Sequence, residues 1–255
     1  IVNIKRFEQV WPSIEGSFCL LLENEETQEP SLNAFFKLLR EGFTKESEQS
    51  LCETLKVLFS GKKFVEETRS QILEEIHFLL SQYSEIISKG WVALLDALSP
   101  NNFSEEEEIM NSAFRCVQII CNDILFSLTE NTQSQIISLI VEFASQTTDI
   151  NISLSAFGLL WNAASCAKTL EMWKLIFQKT APLISDPRTD VSTCAINTFC
   201  SLIISNSKAL SKDIYQYLAN DLFVQIIDSL IQQTEPNEAT IQLAFHELAH
   251  CGRNL

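Results

Sequence analysis

Apolar residues recur along the chain at the three- and four-residue spacing that marks one face of an amphipathic helix. One such stripe contains, in order, Met110, Ala113, Phe114, Val117 and Cys121. Only 6 Gly and 6 Pro occur among the 255 residues, which are too few turn formers for a fold of many short strands. The pattern therefore predicts an all-α protein whose helices are joined by short loops.

The stripes repeat along the sequence, and each is centred on a small residue followed by a large apolar one. The central positions are Ala113, Ala156, Ala195 and Ala244, with an earlier copy at Ala34 and a degraded copy at Gln71. The four clear copies are 43, 39 and 49 residues apart. This spacing is typical of two-helix repeats of the HEAT and armadillo classes.

A second helical stretch precedes each clear copy. These stretches cover residues 90–98, 133–144, 170–184 and 220–231, and the first helix of the chain is predicted at residues 7–22. One helix pair cannot bury its apolar stripe alone, so successive pairs stack and share a core. Because no linker-like segment interrupts the series, we predict a HEAT/armadillo-type α-solenoid of about six antiparallel helix pairs, continuous over residues 1–255.

The chain carries 33 acidic and 18 basic residues, for a formal net charge of −15. Such a surface repels nucleic acid, whose binding depends mainly on neutralised phosphates, and it disfavours direct binding to an anionic bilayer. No stretch approaches the ~20 apolar residues of a membrane span. Basic segments of other proteins remain candidate ligands, although an acidic surface also simply keeps a protein soluble.

The 8 Cys residues form no C-x-x-C pair and no zinc-finger spacing. Most lie in apolar helical stretches, which predicts buried free thiols in a reducing compartment. No signal peptide is recognisable, and the chain does not begin with Met, so we expect it to be part of a longer protein. Phosphate-binding, dinucleotide-binding and nucleophile-elbow motifs do not occur in the sequence, and we therefore expect no cofactor and no catalytic residue.

One motif suggests chemistry, because residues 246–250 match the H-E-x-x-H signature of zinc peptidases. Its residues are His246, Glu247, Leu248, Ala249 and His250, and the apolar stripe of the same helix is Ile241, Ala244, Phe245 and Leu248. A catalytic zinc needs a third protein ligand, whereas the only other histidine is His77.

At ~100° per residue, the two histidines of the motif lie nearly opposite the apolar stripe. We therefore predict an exposed histidine pair and no metal site, with at most weak metal binding in vitro. A zinc metallopeptidase is kept as an alternative, and it would require stoichiometric zinc and the carboxylate of Glu247.

Several segments resemble a known family. Residues 90–95 (Gly-Trp-Val-Ala-Leu-Leu) and 113–118 (Ala-Phe-Arg-Cys-Val-Gln) are similar to the region downstream of the catalytic domain in large Arf exchange factors. Within that group, residues 151–162 (Asn-Ile-Ser-Leu-Ser-Ala-Phe-Gly-Leu-Leu-Trp-Asn) closely resemble the Mon-two family. Residues 186–198 match the family's Asp-x-Arg-x-Asp-Val-Arg run, with Ser192 in place of the last Arg, which weakens one expected contact between repeats.

The resemblance spans residues 90–210 and is loose outside them. Mon-two proteins are related to the large Arf exchange factors but lack their exchange domain. The resemblance thus implies a non-catalytic, cytoplasmic scaffold that is peripheral at the Golgi, the trans-Golgi network and endosomes. It implies a Dopey-family protein and small GTPases of the Arf and Arl types as partners, with membrane association through partners. It also implies that the chain belongs to the C-terminal half of a much larger protein.

The helix around Ala156 is unexpectedly apolar on the side opposite its core stripe. That side carries Leu154, Gly158, Trp161 and Asn162. Exposed apolar patches often bind partners, and Trp is enriched at the energetic centres of interfaces. We predict protein binding through Leu154, Trp161 and Asn162, and the alternative is that an adjacent helix covers Trp161 so that the indole only packs.

The leading functional hypothesis is a scaffold for protein–protein interaction in Golgi and endosome membrane traffic. A transport-receptor-like HEAT solenoid that binds basic cargo is the alternative, and it predicts acidic residues concentrated on the concave face. The zinc metallopeptidase is the third hypothesis. These three hypotheses involve different exposed residues. The residues on the exposed helix faces therefore distinguish between the hypotheses.

Overall fold

The computed structural model describes residues 7–22, 24–60, 64–103, 106–232 and 238–253. These residues form helices joined by short turns, and the described part of the chain contains no strand. Contacts divide the chain after Ile120 into two compact units. The all-α prediction is confirmed, whereas the continuous array over residues 1–255 stays a prediction.

The first unit contains α1 (Phe7–Leu22), α2 (Glu25–Gly42), α3 (Glu48–Ser60), α4 (Glu66–Tyr83), α5 (Trp91–Ala97) and α6 (Glu107–Ile119). The second contains α7 (Glu130–Ser145), α8 (Ile150–Cys166), α9 (Leu170–Thr180), α10 (Thr189–Ser205), α11 (Lys212–Tyr217), α12 (Phe223–Ile231) and α13 (Glu238–Arg253). Short 3₁₀ segments occupy Pro100–Asn102, Leu125–Ser127 and Ala181–Ser185, and π segments occupy Ile120–Ile124 and Leu218–Leu222. Within the described ranges, a helix with the length and apolarity to cross a membrane was not found.

The helices of the first unit form two layers. In one layer α3 packs on both α1 and α5, and in the other α4 packs on both α2 and α6. The layers meet where α1 packs on α2 and α3 packs on α4. Side chains buried completely between the layers include Leu39, Leu55, Ile76 and Val117. The unit is therefore a stack of three helix pairs that share one core.

The second unit repeats this arrangement. Here α9 packs on α7 and α11, while α10 packs on α8 and α13. The layers meet where α7 packs on α8, α9 on α10 and α12 on α13. Its core includes Ile140, Phe177 and Phe199, all fully buried. With three pairs in each unit, the predicted HEAT/armadillo-type α-solenoid of about six antiparallel helix pairs is confirmed.

The predicted repeat centres lie in the second helix of each pair. Ala113, Ala156, Ala195 and Ala244 are each 0% exposed. The earlier copy is different, because Ala34 is exposed. Its neighbour Phe35 is buried instead and stacks on Trp11 with ring centroids 6.0 Å apart. In α2, large aromatic side chains rather than a small residue therefore define the buried stripe.

Three further positions differ from the sequence-based expectation. Helix α9 ends at Thr180 and is followed by the 3₁₀ segment Ala181–Ser185. Pro182, in the first turn of that 3₁₀ segment, has no backbone N–H to donate the next hydrogen bond of an α-helix. The helix predicted at residues 220–231 begins as a π segment preceded by the separate helix α11. Phe245 was expected in the core but is 43% exposed, because α13 packs through the stripe of Ala244, Leu248 and Cys251 and Phe245 lies at its margin.

Candidate protein-binding surface

Helix α8 carries the residues that were predicted to bind a partner. It begins where the Asp149 carboxylate accepts the backbone N–H of Asn151 at 2.7 Å, a standard N-cap contact. Its buried stripe contains Ile152, Ala156, Leu160 and Ala163. Because successive residues turn by ~100°, residues 154, 158, 161 and 162 lie on the opposite side of the helix.

The structure brings the three predicted residues together on that side. Trp161 is 36% exposed, and Leu154 and Asn162 are half-buried. Gly158 between them is exposed, and a Cβ added there would meet nothing within 4 Å. About a third of Trp161 is therefore accessible. The Asn162 side-chain amide already donates a hydrogen bond to Asn122 Oδ1 at 2.8 Å. Leu154 and Trp161 are therefore the better candidates for contact with a partner.

The exposed side of the neighbouring helix α10 extends this surface. Asn197 and Ile204 are exposed on α10, Ile204 by 38%, and α10 packs beside α8 in the same layer. Helix α8 has no charged residue, and α10 has only Asp190 in its first turn. We refer to Leu154, Gly158, Trp161, Asn197 and Ile204 as the neutral face. The α10 part was not predicted from the sequence, although the lack of charged residues between positions 191 and 205 was a usable signal.

One arginine ties the helix pairs that carry the neutral face. Arg188, just before α10, donates hydrogen bonds to the backbone carbonyls at the end of α7, including that of Gln146. It also donates to Ser153 Oγ at 3.2 Å and to both carboxylate oxygens of Asp186 at 2.8–2.9 Å. Hydrogen bonding to Asp186 raises the pKa of Arg188, so the guanidinium stays charged. Ser192 makes only a local bond, to the Thr189 carbonyl at 3.1 Å, and Arg188 supplies the contact between repeats.

The H-E-x-x-H motif lies on α13, where His246 and His250 are exposed as predicted from the helix period. His246 Nδ1 is 3.0 Å from Oε1 of the adjacent Glu247. Among the described residues, no group of three or more His, Cys, Asp or Glu side chains could hold a metal ion. The third ligand that a catalytic zinc needs is thus not found in that part of the chain.

A cavity of about 440 Å³ lies between α2 and α4 in the first unit. Its charged lining residues are Lys37, Arg40, Glu41, Glu74 and Glu75. Arg40 donates from Nε to Glu75 Oε2 at 3.0 Å and forms a second bond to the other carboxylate oxygen. The cavity therefore alternates acidic and basic groups instead of concentrating acid, which gives less support to the basic-cargo hypothesis.

No family model matches the chain. A relative from Drosophila melanogaster, called Protein MON2 homolog, is 25% identical over 218 residues, or 74% of this chain and 13% of that protein. A Protein MON2 homolog from Xenopus laevis is 24% identical over 172 residues, or 64% of this chain and 10% of that protein. The one from Schizosaccharomyces pombe is 30% identical over 106 residues, or 38% of this chain and 7% of that protein. The chain thus spans a small part of these relatives.

Two similar solved structures are repeat or engineered proteins. A designed armadillo repeat protein in complex with the peptide (KR)4 has a TM-score of 0.43 and 15% identity, covering 91% of this chain and 98% of its own. An engineered protein also has a TM-score of 0.43, with 17% identity and coverage of 94% and 97%. The sequence relatives and the stacked helix pairs together lead to one conclusion: the chain is Mon2-like in sequence and has the solenoid architecture of a scaffold.

Proposed function

We propose that the chain is a non-catalytic scaffold for protein–protein interaction in Golgi and endosome membrane traffic. The neutral face carries this proposal. In a chain of formal charge −15, two neighbouring helices present almost no charge and expose Trp161 and Ile204. The Mon2-like sequence supports a role in membrane traffic, because the relatives called Protein MON2 homolog match 74% and 64% of this chain.

The chemistry of the neutral face suits a partner with an apolar helix or loop. A partner that covers Trp161 would bury the remaining third of the indole without removing water from any charged group, which is the costly step in binding to an acidic surface. Trp residues near the centre of an interface commonly contribute most of its binding energy. Rigid packing of α8 and α10, joined by Arg188, keeps the face preformed and lowers the entropy lost on binding.

The partners we propose are a Dopey-family protein and small GTPases of the Arf and Arl types, which the family resemblance implies. Binding such partners would recruit the protein as a peripheral component on the cytoplasmic side of Golgi and endosome membranes. In this role the chain contributes surfaces and spacing, and it needs neither a cofactor nor a reactive side chain.

The test is Trp161→Ala, with binding to purified Dopey-family protein and to Arf- and Arl-type GTPases as the readout. Loss of a partly exposed indole at an interface centre is expected to weaken binding at least about tenfold. Val224→Ala is the matched control, because Val224 is 50% exposed on α12, outside the neutral face. Unchanged binding by a Trp161→Ala protein that circular dichroism shows to be folded would rule out the neutral face as the binding surface for these partners.

Basic cargo is the second candidate, and the observation in its favour is the formal net charge of −15. The two candidates respond differently to salt. Binding of a basic peptide would weaken strongly as salt screens the charges, and Glu74→Gln would reduce it. Binding through the neutral face would depend little on salt and would respond to Trp161→Ala.

A further inference from the structure

Two cysteines meet where α10 packs on α13 in the second unit. Cys200 lies inside α10 and Cys251 in the last turn of α13, and their side chains are 1% and 0% exposed. The Cys251 thiol donates a hydrogen bond to the backbone carbonyl oxygen of Cys200 at 3.7 Å. The two thiols also hydrogen-bond with each other. The sulfur atoms therefore converge, as the side chains of a disulfide must.

The contact between the thiols makes Cys251 the more reactive of the two. Hydrogen bonding to Cys200 lowers the pKa of the Cys251 thiol, although burial and the Glu247 carboxylate oppose this shift. The same hydrogen bond, together with burial, raises the pKa of Cys200. Burial also raises the pKa of Cys52, Cys116, Cys121, Cys166 and Cys194. Because the thiolate is the form that attacks an oxidant, we expect Cys251 to react first.

Cys251 lies where the end of a helix can open. The next residue, Gly252, is exposed, and between Leu248 and Gly252 the one buried side chain is that of Cys251. The last turn of an α-helix also has carbonyl groups without intrahelical partners. Local opening of this turn would admit an oxidant as small as hydrogen peroxide without unfolding α10.

We propose that Cys200 and Cys251 form an oxidation site that hydrogen peroxide converts to a disulfide. The Cys251 thiolate attacks one peroxide oxygen, the O–O bond breaks, and a sulfenic acid and hydroxide form. The Cys200 thiol then attacks that sulfur, so that an S–S bond forms, the S–O bond breaks and the sulfenic oxygen leaves as water. In sum, the two thiols lose two electrons and two protons, and one peroxide molecule is reduced to two water molecules.

The disulfide would join α13 covalently to α10. It would link positions 51 residues apart, and a cross-link over such a loop stabilises a fold mainly by constraining the unfolded chain. Exchange with a thiol reductant reverses the bond, and in a reducing compartment it would form only transiently. The site would therefore fix α13 in place under oxidising conditions and release it afterwards.

Peroxide treatment of the Cys194→Ser protein at neutral pH tests the proposal. This background is chosen because no Lys or Arg separates Cys194 from Cys200, so trypsin would otherwise leave both in one peptide. After the remaining thiols are blocked, mass spectrometry of unreduced peptides should find a Cys200–Cys251 disulfide with the loss of two hydrogen atoms. In the same background, Cys200→Ala should leave a sulfenic acid at Cys251 that dimedone labels, whereas Cys251→Ala should leave Cys200 unreacted.

The matched control is the pair of Cys121 and Cys166 in the same unit. These thiols are buried and interact electrostatically, but the pKa of each is raised, so the same dose of peroxide should not join them. Equal cross-linking of this pair would overturn the proposal. So would the absence of a Cys200–Cys251 disulfide at a dose that oxidises Cys194 in the unsubstituted chain, a measurement that needs no substitution in the core.

Urea denaturation gives the structural readout. The midpoint of the cross-linked protein should lie at higher urea, dithiothreitol should return it to the original value, and peroxide should not shift the midpoint of Cys251→Ala. Circular dichroism shows whether the variants are still helical before treatment. An unchanged midpoint in fully cross-linked protein would overturn the inferred fixing of α13.

Discussion

The two units share a two-layer helical packing, but the exposed sides of their second helices differ in charge. In the first unit, α4 and α6 expose Glu67, Glu74, Glu108 and Arg115. In the second unit, α8 and α10 expose the neutral face. Because both kinds of surface cover an apolar core, core packing leaves the outer side free to vary. The outer side is therefore where a binding role can be added to a repeat without changing its fold.

The junctions between helix pairs are more alike than the exposed sides. In the first unit Arg69 donates to the Asn102 carbonyl at 2.8 Å, pairs with Glu106 and lies 5.0 Å from the centre of the Phe59 ring. In the second unit Arg188 bonds carbonyls and a carboxylate in the same way. Each unit thus uses one largely buried arginine to satisfy polar groups where pairs meet, and the difference in charge is confined to solvent-facing positions.

The largest expected effect is a difference in thiol reactivity between Cys116 in the first unit and Cys194 in the second. Burial raises the pKa of Cys116 in the first unit to about 12, which at pH 8 reduces its thiolate by roughly a thousandfold relative to a free thiol of pKa ~8.5. Cys194 on α10 is only half-buried; burial raises its pKa as well, and a hydrogen bond with Thr198 opposes that rise. Iodoacetamide at pH 8 should therefore label Cys194 far faster than Cys116, as measured by peptide mass spectrometry.

The rate at Cys116 should rise about tenfold per pH unit above pH 8, because the reactive thiolate is formed only as pH approaches the raised pKa. Labelling in a denaturant is the control, and there the two sites should react alike. Equal rates in the native protein would show that the first unit opens more readily than its packing indicates.

Gly90→Ala should destabilise the first unit by about 3 kcal/mol. The added Cβ would lie 2.6 Å from Glu48 Oε2 and 2.7 Å from Cys52 Sγ. Glu48 is 3% exposed, and its carboxylate accepts the backbone N–H groups of Lys89 and Gly90 at 3.0 and 2.8 Å. The substitution would displace this buried carboxylate from its donors. Urea denaturation measures the loss, and a change below about 0.5 kcal/mol would mean that α3 and α5 can separate without cost.

Arg188→Leu should lower the free energy of unfolding by about 2 kcal/mol, because it leaves the Asp186 carboxylate and the α7 carbonyls without their donor. The Asp186 side chain is only 10% exposed. Arg188→Lys is the informative comparison, since an ammonium group keeps the charge but cannot make the forked contacts. It should recover only part of the loss in denaturant titrations, and full recovery would show that charge alone joins these pairs.

Gly158→Ala should have the smallest effect and the opposite sign. The position lies inside α8, where glycine costs about 0.5–1 kcal/mol relative to alanine, and a Cβ there would meet nothing within 4 Å. The substitution should therefore stabilise the second unit by about that amount in the same denaturation experiment. Destabilisation would indicate that another part of the molecule covers the neutral face.

Much of the fold was predictable because helix periodicity is local. The buried stripes of α6, α8, α10 and α13 follow from apolar spacing within about fifteen residues, and the same spacing put Trp161 on the exposed side of α8. The periodicity did not predict the exposure of Ala34 and Phe245. In both helices the rotation about the axis depends on which neighbours the stripe packs against, and this is a property of the stack.

The amino-acid sequence by itself determined the helical class, the repeat length, the buried alanines and the acidic character of the chain, since all of these depend on residue types and short-range spacing. Tertiary structure alone decided which distant residues meet. The carboxylate of Glu48 at Gly90, the bonds of Arg188 to the end of α7, and the union of α8 and α10 into one neutral face join positions about forty residues apart. Such contacts form only when successive pairs stack, because the stack brings together side chains that no local pattern links.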